Sequence, residues 1–178
     1  MRFTIVTLFV LLAFSFCDAQ AQTTAGATAG VYLEWLEMQA FQGTQSIALP
    51  SRAATIGGLA EFGAMPGFSF RFSAGRGIGL GGPPLTLTRY DTSVLYILSL
   101  DNIKIFGDVG SGLLQFDSSG TQFWRAVGWA GIGLRASAFR IFMVAFEFKR
   151  MFLIQVDNRI APFPGTWVYR LEFLVGGI

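Results

Sequence analysis

The sequence predicts an all-β protein: an eight-stranded antiparallel up-and-down transmembrane β-barrel, preceded by a cleaved signal peptide. Three observations favour this fold class. The chain has 178 residues, of which 52% are hydrophobic and only 13% are charged, so it carries more apolar surface than one soluble core of this size needs. Several segments alternate polar and apolar residues, as strands with two different faces do. The connections between these segments alternate between long and short, which is typical of barrels in outer membranes.

The first 21 residues are predicted to be a secretory signal peptide. Arg2 supplies the positive charge, residues 5–16 are apolar, and residues 19–21 have the small-x-small pattern of a cleavage site. A membrane-anchoring helix and a lipoprotein signal at Cys17 are the alternatives, but the apolar stretch falls short of the about 20 residues that a spanning helix needs. The expected division of the chain is a signal peptide over 1–21, a short N-terminal segment over 22–30 and the barrel over 31–178.

Three segments alternate most clearly, and they are 68–74, 142–149 and 169–175. In the first of them the aromatic residues share one face and the polar residues the other: Phe68, Phe70 and Phe72 against Ser69, Arg71 and Ser73. A helix would scatter the charges of these segments around its surface, so each segment is predicted to be a strand.

Five further segments are compatible with strands: 31–41, 54–64, 86–99, 103–116 and 123–135. The poorest is 31–41, because Glu34 and Glu37 fall on opposite faces; a bulge, an early strand end or a short helix would account for this. Segment 103–116 is rich in glycine, and its facing is ambiguous around Lys104 and Asp108.

The connections between these eight segments differ in length. Long ones are expected over 42–53, 76–85 and 153–165, tight ones over 65–67, 100–102 and 136–138, and an intermediate one over 117–120. The glycine-rich run 77–82 lacks the Lys-Ser/Thr ending of a phosphate-binding loop, so a flexible outer loop is the expectation there.

The aromatic content of the apolar faces distinguishes a membrane barrel from a soluble one. Eight strands enclose a lumen just wide enough for side chains, and a face this rich in Phe, Tyr and Trp would overfill it. Lipid around the barrel can accommodate such a face whatever the size of its side chains. Lipid also requires the sheet to close, because every backbone polar group must be paired within the sheet. A soluble lipid-binding barrel and an open exported sheet are the alternatives.

Together, the signal peptide, the eight alternating segments, the alternating loop lengths and the amphipathic final strand resemble the small outer-membrane barrels of the OmpA/OmpX type. The segments 107–114 and 131–134 resemble the glycine-rich strands of that superfamily. The resemblance implies an outer-membrane location in a Gram-negative-type bacterium, export through the general secretory route, and contact with outer-membrane lipid and the barrel-insertion machinery. It is architectural and specifies no activity. Such proteins usually end in an aromatic residue, whereas this chain ends in Ile178.

Outward placement of the apolar faces puts a set of charged side chains inside the barrel, where we predict a structural ion-pair network: Glu61, Arg71, Arg125, Arg135, Glu147, Lys149, Arg170 and Glu172. A gated ion path and a catalytic site with Glu61 and Glu147 as acid and base are the alternatives. Trp124 and Trp167 are predicted to lie at the membrane interface, and Trp129 to fill the lumen. Contacts with an unknown surface partner are expected at the longest outer loop, through Asp157, Asn158 and Arg159.

The expected function is that of a non-enzymatic integral outer-membrane barrel with a charge-plugged lumen and a structural or surface-interaction role. With no histidine, the chain cannot use a Ser-His-Asp triad, a Cys-His pair or His-ligated zinc, and no metal or cofactor is expected. A net charge of +2 does not predict nucleic-acid binding. The alternatives are an outer-membrane lipid-modifying enzyme and a soluble periplasmic barrel that carries an apolar ligand.

Overall fold

The computed structural model describes residues 26–38, 49–100, 103–118, 120–137, 141–154 and 166–176. Its strands are β1 (Ala27–Glu37), β2 (Arg52–Met65), β3 (Phe68–Leu80), β4 (Thr86–Leu100), β5 (Ile103–Ser118), β6 (Thr121–Ser137), β7 (Phe142–Ile154) and β8 (Thr166–Gly176). Among the described residues there is no helix that has the length and apolar character to cross a membrane. The predicted signal peptide over 1–21 lies outside the described residues.

Each strand pairs antiparallel with the next in the chain, and β8 pairs with β1, so the sheet closes into an eight-stranded barrel. The predicted all-β, antiparallel up-and-down barrel is therefore confirmed. Three connections, at 66–67, 101–102 and 138–141, meet at one end of the barrel, here called the turn end. The other end, here called the loop end, carries the connections at 38–51, 81–85, 119–120 and 155–165. Gly67 adopts a φ of 77° in the tight β2–β3 turn, a conformation that suits glycine.

Alternation along the strands places large apolar side chains on the outer wall and polar ones in the lumen. In β3, Phe70 and Phe72 are exposed while Ser69, Arg71 and Ser73 are buried. The same pattern places Phe146 outside and Glu147 inside on β7, and Phe173 outside and Glu172 inside on β8. The outer wall is thus apolar around the barrel, which is the surface that hydrocarbon accepts.

Several strand boundaries differ from those expected from the sequence, most of all in β1 and β3. Strand β1 runs over Ala27–Glu37 rather than 31–41, so the barrel includes residues 27–30, which were assigned to the N-terminal segment. The small residues at its start give no alternation signal, yet Thr28 lies opposite both Glu61 of β2 and Gly176 of β8 and so helps to close the sheet. The opposite parity of the two glutamates of β1 is compatible with a regular strand, because Glu34 faces the lumen and Glu37 is half-buried on the opposite face.

Strand β3 continues to Leu80 through the glycine-rich run that was expected to be an outer loop. Gly75 and Gly57 lie opposite each other in register, beside Tyr32, which extends across the lumen from β1. A side chain at Gly57 would collide with the Tyr32 ring and one at Gly75 with the Tyr32 hydroxyl, so glycine serves packing rather than flexibility. Strands β5 and β6 also extend further than expected, to Ser118 and from Thr121, so the connection between them is shorter than the expected 117–120.

The lumen is filled in three layers along the barrel axis. At the loop end, buried apolar side chains form the loop-end apolar layer: Leu36, Met38, Leu49, Ala53, Leu85, Leu87, Leu114, Phe116, Val127, Trp129, Met151 and Val168. At the turn end, a second set forms the turn-end apolar layer: Tyr32, Leu59, Leu95, Phe106, Met143, Ala145 and Leu174. Buried ionic side chains, here called the charged layer, lie between the two sets on β1, β4, β5, β7 and β8, while on β2 Glu61 lies beyond Leu59 towards the turn end.

Candidate functional site: a charged layer in the lumen

The charged layer is the largest concentration of polar chemistry in the described chain. Its members are almost completely buried, and carboxylates nearly match cations in number: Glu34, Glu61, Asp91, Asp108, Glu147 and Glu172 with Arg71, Arg89, Arg135, Lys149 and Arg170. Burial of this much charge is tolerated only where each ion has a close partner of opposite sign. The positions of those partners follow from the strand register.

The half of the charged layer nearer the turn end is built around Glu61. This residue lies directly opposite Arg71 across the β2–β3 hairpin, and Arg71 Nη2 is 3.4 Å from Glu61 Oε2. Arg135 reaches the same carboxylate from β6 with both terminal nitrogens, Nη1 to Oε1 at 3.0 Å and Nη2 to Oε2 at 2.7 Å. Such a bidentate contact is the strongest arrangement that an arginine and a carboxylate form.

Arg71 also connects this half of the layer to the last two strands. Its Nη1 is 3.2 Å from Glu147 Oε2 on β7 and 2.9 Å from Glu172 Oε1 on β8. One guanidinium therefore holds carboxylates from three different strands, which fixes opposite walls of the barrel to each other across the lumen.

The half nearer the loop end is built around Glu34 and Asp91. Arg89 forms ion pairs with both, its Nε lying 2.5 Å from Asp91 Oδ2 and its Nη1 contacting Glu34 Oε1. Arg170 on β8 bridges the same two carboxylates, its Nη2 lying 2.8 Å from Glu34 Oε2 and 3.0 Å from Asp91 Oδ2. Ser73 adds a hydrogen bond to Asp91 at 3.1 Å. Two arginines and two carboxylates thus form an alternating ring.

Lys149 lies between the two halves. Its Nζ is 3.4 Å from Glu147 Oε2, 3.8 Å from Glu34 Oε2 and 3.9 Å from Asp108 Oδ2. Glu147 and Arg170 are opposite each other in register, and Arg170 Nε lies 4.0 Å from Glu147 Oε2. This contact is a second link between the two halves. The charged layer is therefore one connected network rather than two separate clusters.

Aromatic rings cover the charged layer on both sides. Phe106, from the turn-end apolar layer, lies 5.4 Å from the guanidinium carbons of Arg71 and Arg135. Trp129, from the loop-end apolar layer, lies 5.1 Å from both Arg89 and Lys149, and its Nε1 donates to Asp108 Oδ2 at 3.0 Å. Cations over ring faces gain electrostatic stabilisation when water is excluded. The apolar layers therefore contact the ions favourably while they seal the lumen.

The structure places seven of the eight predicted lumen charges in this network: Glu61, Arg71, Arg135, Glu147, Lys149, Arg170 and Glu172. Arg125 was also predicted to belong to the network, but the structure places it elsewhere. It has the inward parity of β6, but it lies near the loop end, donates to the carbonyl oxygen of Trp124 at 2.9 Å and stacks on Phe123 at 5.2 Å. Among the described residues it forms no ion pair, because the loop-end apolar layer separates it from the carboxylates.

Sequence reasoning missed four members of the network: Glu34, Arg89, Asp91 and Asp108. Arg89 and Asp91 do alternate with apolar residues in their segment, so parity could have included them. No comparable signal was present for Glu34 or Asp108, whose segments had ambiguous facing. Among the described residues, no cluster of three or more metal-ligating side chains has a geometry suited to a metal ion.

The two tryptophans predicted at the membrane interface lie on the outer wall near the loop end. Trp124 is 48% exposed and stacks on Tyr90 at 6.4 Å. Trp167 stacks on Phe148 at 4.5 Å, and Arg150 lies 5.0 Å above its ring. Trp129, by contrast, is inside the lumen. Asp157, Asn158 and Arg159 lie outside the described residues.

Comparison with known proteins identifies the fold. The sequence matches no family model and no curated protein. Solved structures with a similar fold include the N-terminal β-barrel domain of Pseudomonas aeruginosa OprF (TM-score 0.60, 12% identity, covering 88% of this chain and 99% of that one). Neisserial surface protein A is similar at TM-score 0.59 and 10% identity, covering 89% of this chain and 99% of that one. The Pseudomonas aeruginosa outer membrane protein OprG is similar at TM-score 0.59 and 11% identity, with the same two coverages.

These similarities define a class: the chain has the fold of the small eight-stranded outer-membrane barrels, as its resemblance to OmpA/OmpX-like proteins implied. At identities of 10–12% they define the fold alone.

Proposed function

We propose that this protein is an integral outer-membrane barrel of a Gram-negative-type bacterium, exported by the general secretory route, with a filled, non-conducting lumen and no catalytic activity. Its role is that of a rigid wall element whose outer loops, including Asp157, Asn158 and Arg159, meet a surface partner. The proposal extends to contact with outer-membrane lipid and with the barrel-insertion machinery.

The observation that carries the proposal is the three-layer filling of the lumen. A conducting pore needs a continuous hydrated path, and the smallest general porins have about 16 strands. In this eight-stranded barrel each cation of the charged layer is paired with at least one carboxylate, and packed apolar side chains lie on each side of the layer. Ions entering from either end would have to displace a packed apolar layer first.

The outer wall supports the membrane location. Large apolar side chains on it are broadly exposed, among them Ile56 at 63%, Val109 at 61% and Ile132 at 67%. A soluble carrier of an apolar ligand would require the reverse arrangement, with these side chains around an internal cavity. The wall therefore favours lipid as the surrounding solvent.

Conductance across a planar lipid bilayer tests the sealed lumen. The refolded protein is expected to produce no ionic current steps in concentrated KCl, while a general porin inserted under the same conditions produces them. Reproducible steps from the purified barrel would contradict the proposal. Lipid turnover that is lost in Glu147→Gln while folding is retained would instead favour a lipid-modifying enzyme.

A further inference from the structure

The outer wall carries a groove that the proposed function does not use. It has a volume of about 800 Å³ and crosses the strands from β2 to β7 on the face opposite the lumen. Small outward-facing side chains form its floor: Gly58, Ala60, Ala74, Thr92, Ser111 and Ala126. The groove is bordered by larger side chains, which are those of Phe72, Tyr90, Leu113 and Ile154.

Gly58 keeps part of the groove open although the barrel does not need a glycine there. A Cβ at this position would come no closer than 3.8 Å to another atom, the carbonyl oxygen of Gly30. The neighbouring Gly57 faces the lumen, where a Cβ would lie 2.6 Å from the ring of Tyr32. Gly57 is thus required by internal packing, whereas Gly58 is not, and a larger residue at position 58 would fill the groove without disturbing the lumen.

Arg76 lies next to the groove on the loop-end side. It is an exposed residue on the outward face of β3, two positions beyond Ala74, and its register partners are Ile56 and Thr88. No carboxylate among the described residues forms an ion pair with it. The arginines of the charged layer differ in this respect, because each of them is paired with at least one carboxylate.

We propose that the groove and Arg76 bind one anionic membrane lipid, with an acyl chain in the groove and the head-group phosphate at the Arg76 guanidinium. This proposal rests on the membrane location proposed above. The floor suits an acyl chain because most of its side chains are apolar, and Thr92 Oγ1 donates to the carbonyl oxygen of Ser111 at 3.5 Å. The Arg76 guanidinium would have in a phosphate the bidentate partner that none of the described residues supplies.

A second copy of the chain fits the groove less well. If two barrels met through this patch, two-fold symmetry would place the Arg76 side chain of each barrel beside the patch of the other, next to side chains that are mostly apolar. Asp91 also lines the groove, but its side chain is buried and paired with Arg89 and Arg170, so it cannot reach Arg76, whereas an anionic lipid supplies the missing charge.

Native mass spectrometry tests the lipid site. The barrel would be released from mixed micelles that contain equal amounts of palmitoyl-oleoyl phosphatidylglycerol and phosphatidylcholine. We expect one retained phosphatidylglycerol per barrel. Gly58→Leu should abolish retention by filling the groove, while Gly107→Leu should leave it unchanged, because Gly107 is also an outward glycine with open space but lies outside the groove.

Arg76→Gln should weaken phosphatidylglycerol retention about fivefold, since one basic residue near a charged surface contributes about that factor. Arg150→Gln, at an outward arginine on β7, should not. Equal retention of the two lipids, retention unaffected by Gly58→Leu, displacement by inorganic phosphate alone, or a dimer peak that Gly58→Leu removes would each overturn the proposal. A heat-dependent gel shift, recorded for every variant, separates loss of the lipid site from failure of the barrel itself.

Discussion

Glu61 is the residue on which the turn-end half of the charged layer depends. It accepts from both terminal nitrogens of Arg135 and from Arg71, so its removal would leave two buried guanidinium groups short of a partner. Breaking one side of a buried ion pair is costly because the remaining charge stays away from water. Phe106 also stabilises these arginines, since its ring contacts the two cations that are paired with Glu61.

Glu61→Gln is expected to destabilise the folded barrel by about 3–5 kcal/mol, the usual cost of removing one partner from a buried ion pair. The measurement is urea-induced unfolding in lipid vesicles, followed by tryptophan fluorescence. Glu37→Gln is the control, because Glu37 points away from the lumen and forms no ion pair among the described residues. Equal stability of the two variants would show that the charged layer does not hold the barrel together.

Trp129 and Trp124 offer a matched pair on one strand, one inside and one outside. Trp129→Phe keeps a ring over Arg89 and Lys149 but leaves Asp108 Oδ2 without its 3.0 Å donor, at an expected cost of about 1–3 kcal/mol. Trp124→Phe removes no hydrogen bond between described residues and is expected to change stability much less. Unfolding of both variants in the same vesicles measures the difference. A larger loss from Trp124→Phe would contradict the inward role of Trp129.

How far the site could be predicted differs from residue to residue. The contact between Arg71 and Glu61 followed from parity and a tight turn, both of which are local. Arg125 was misplaced because parity gives the side of the sheet but not the height along the barrel axis. Glu34 was missed because Glu34 and Glu37 fall on opposite faces of the same segment, so the sequence did not show which of the two faces the lumen.

At the scale of the strands, β7 combines three roles in a short sequence. Its inward face supplies Glu147 and Lys149 to the charged layer and Met151 to the loop-end apolar layer, while its outward face supplies Phe142 and Phe146 to the wall. A register shift by one residue would exchange these two faces. The alternation that made this strand predictable is therefore also what makes its register specific.

Replacement of outward-facing phenylalanines on β7 by arginine should have an effect that depends on depth. Phe146→Arg, near the middle of the wall, is expected to cost about 2–4 kcal/mol, and Phe142→Arg, at the turn end, about 0–1 kcal/mol. Unfolding in phosphatidylcholine vesicles compares the two, and wild-type protein serves as the reference. Equal costs would mean that the wall does not cross hydrocarbon.

Strands β3 and β5 mark the limit of prediction from periodicity. The end of β3 was assigned to a loop because glycines usually break a pattern, yet Gly75 and Gly77 are strand residues that make room for Tyr32 and Thr55. In β5 the inward residues include both Phe106 and Asp108, so the inner face mixes apolar and charged chemistry. Only the layered filling of the lumen, a property of all eight strands together, explains that mixture.

At the scale of the whole molecule, the distribution of side chains around the middle of the barrel is the reverse of that in a soluble protein. Ionic side chains lie inside and large apolar side chains outside, while apolar layers close both ends of the lumen. Closure of the sheet leaves no unpaired strand edge between β1 and β8, as hydrocarbon demands. Strand number, wall chemistry and lumen filling are thus consistent with one environment.

The most direct test of this account is gel mobility of the refolded protein, boiled against unboiled, together with far-ultraviolet circular dichroism. The account predicts a strand-rich spectrum in detergent or lipid and a mobility that shifts on boiling, because a closed sheet around a packed lumen resists unfolding by detergent. An unshifted band from protein that stays soluble in plain buffer would contradict it, since the apolar wall described here could not face water.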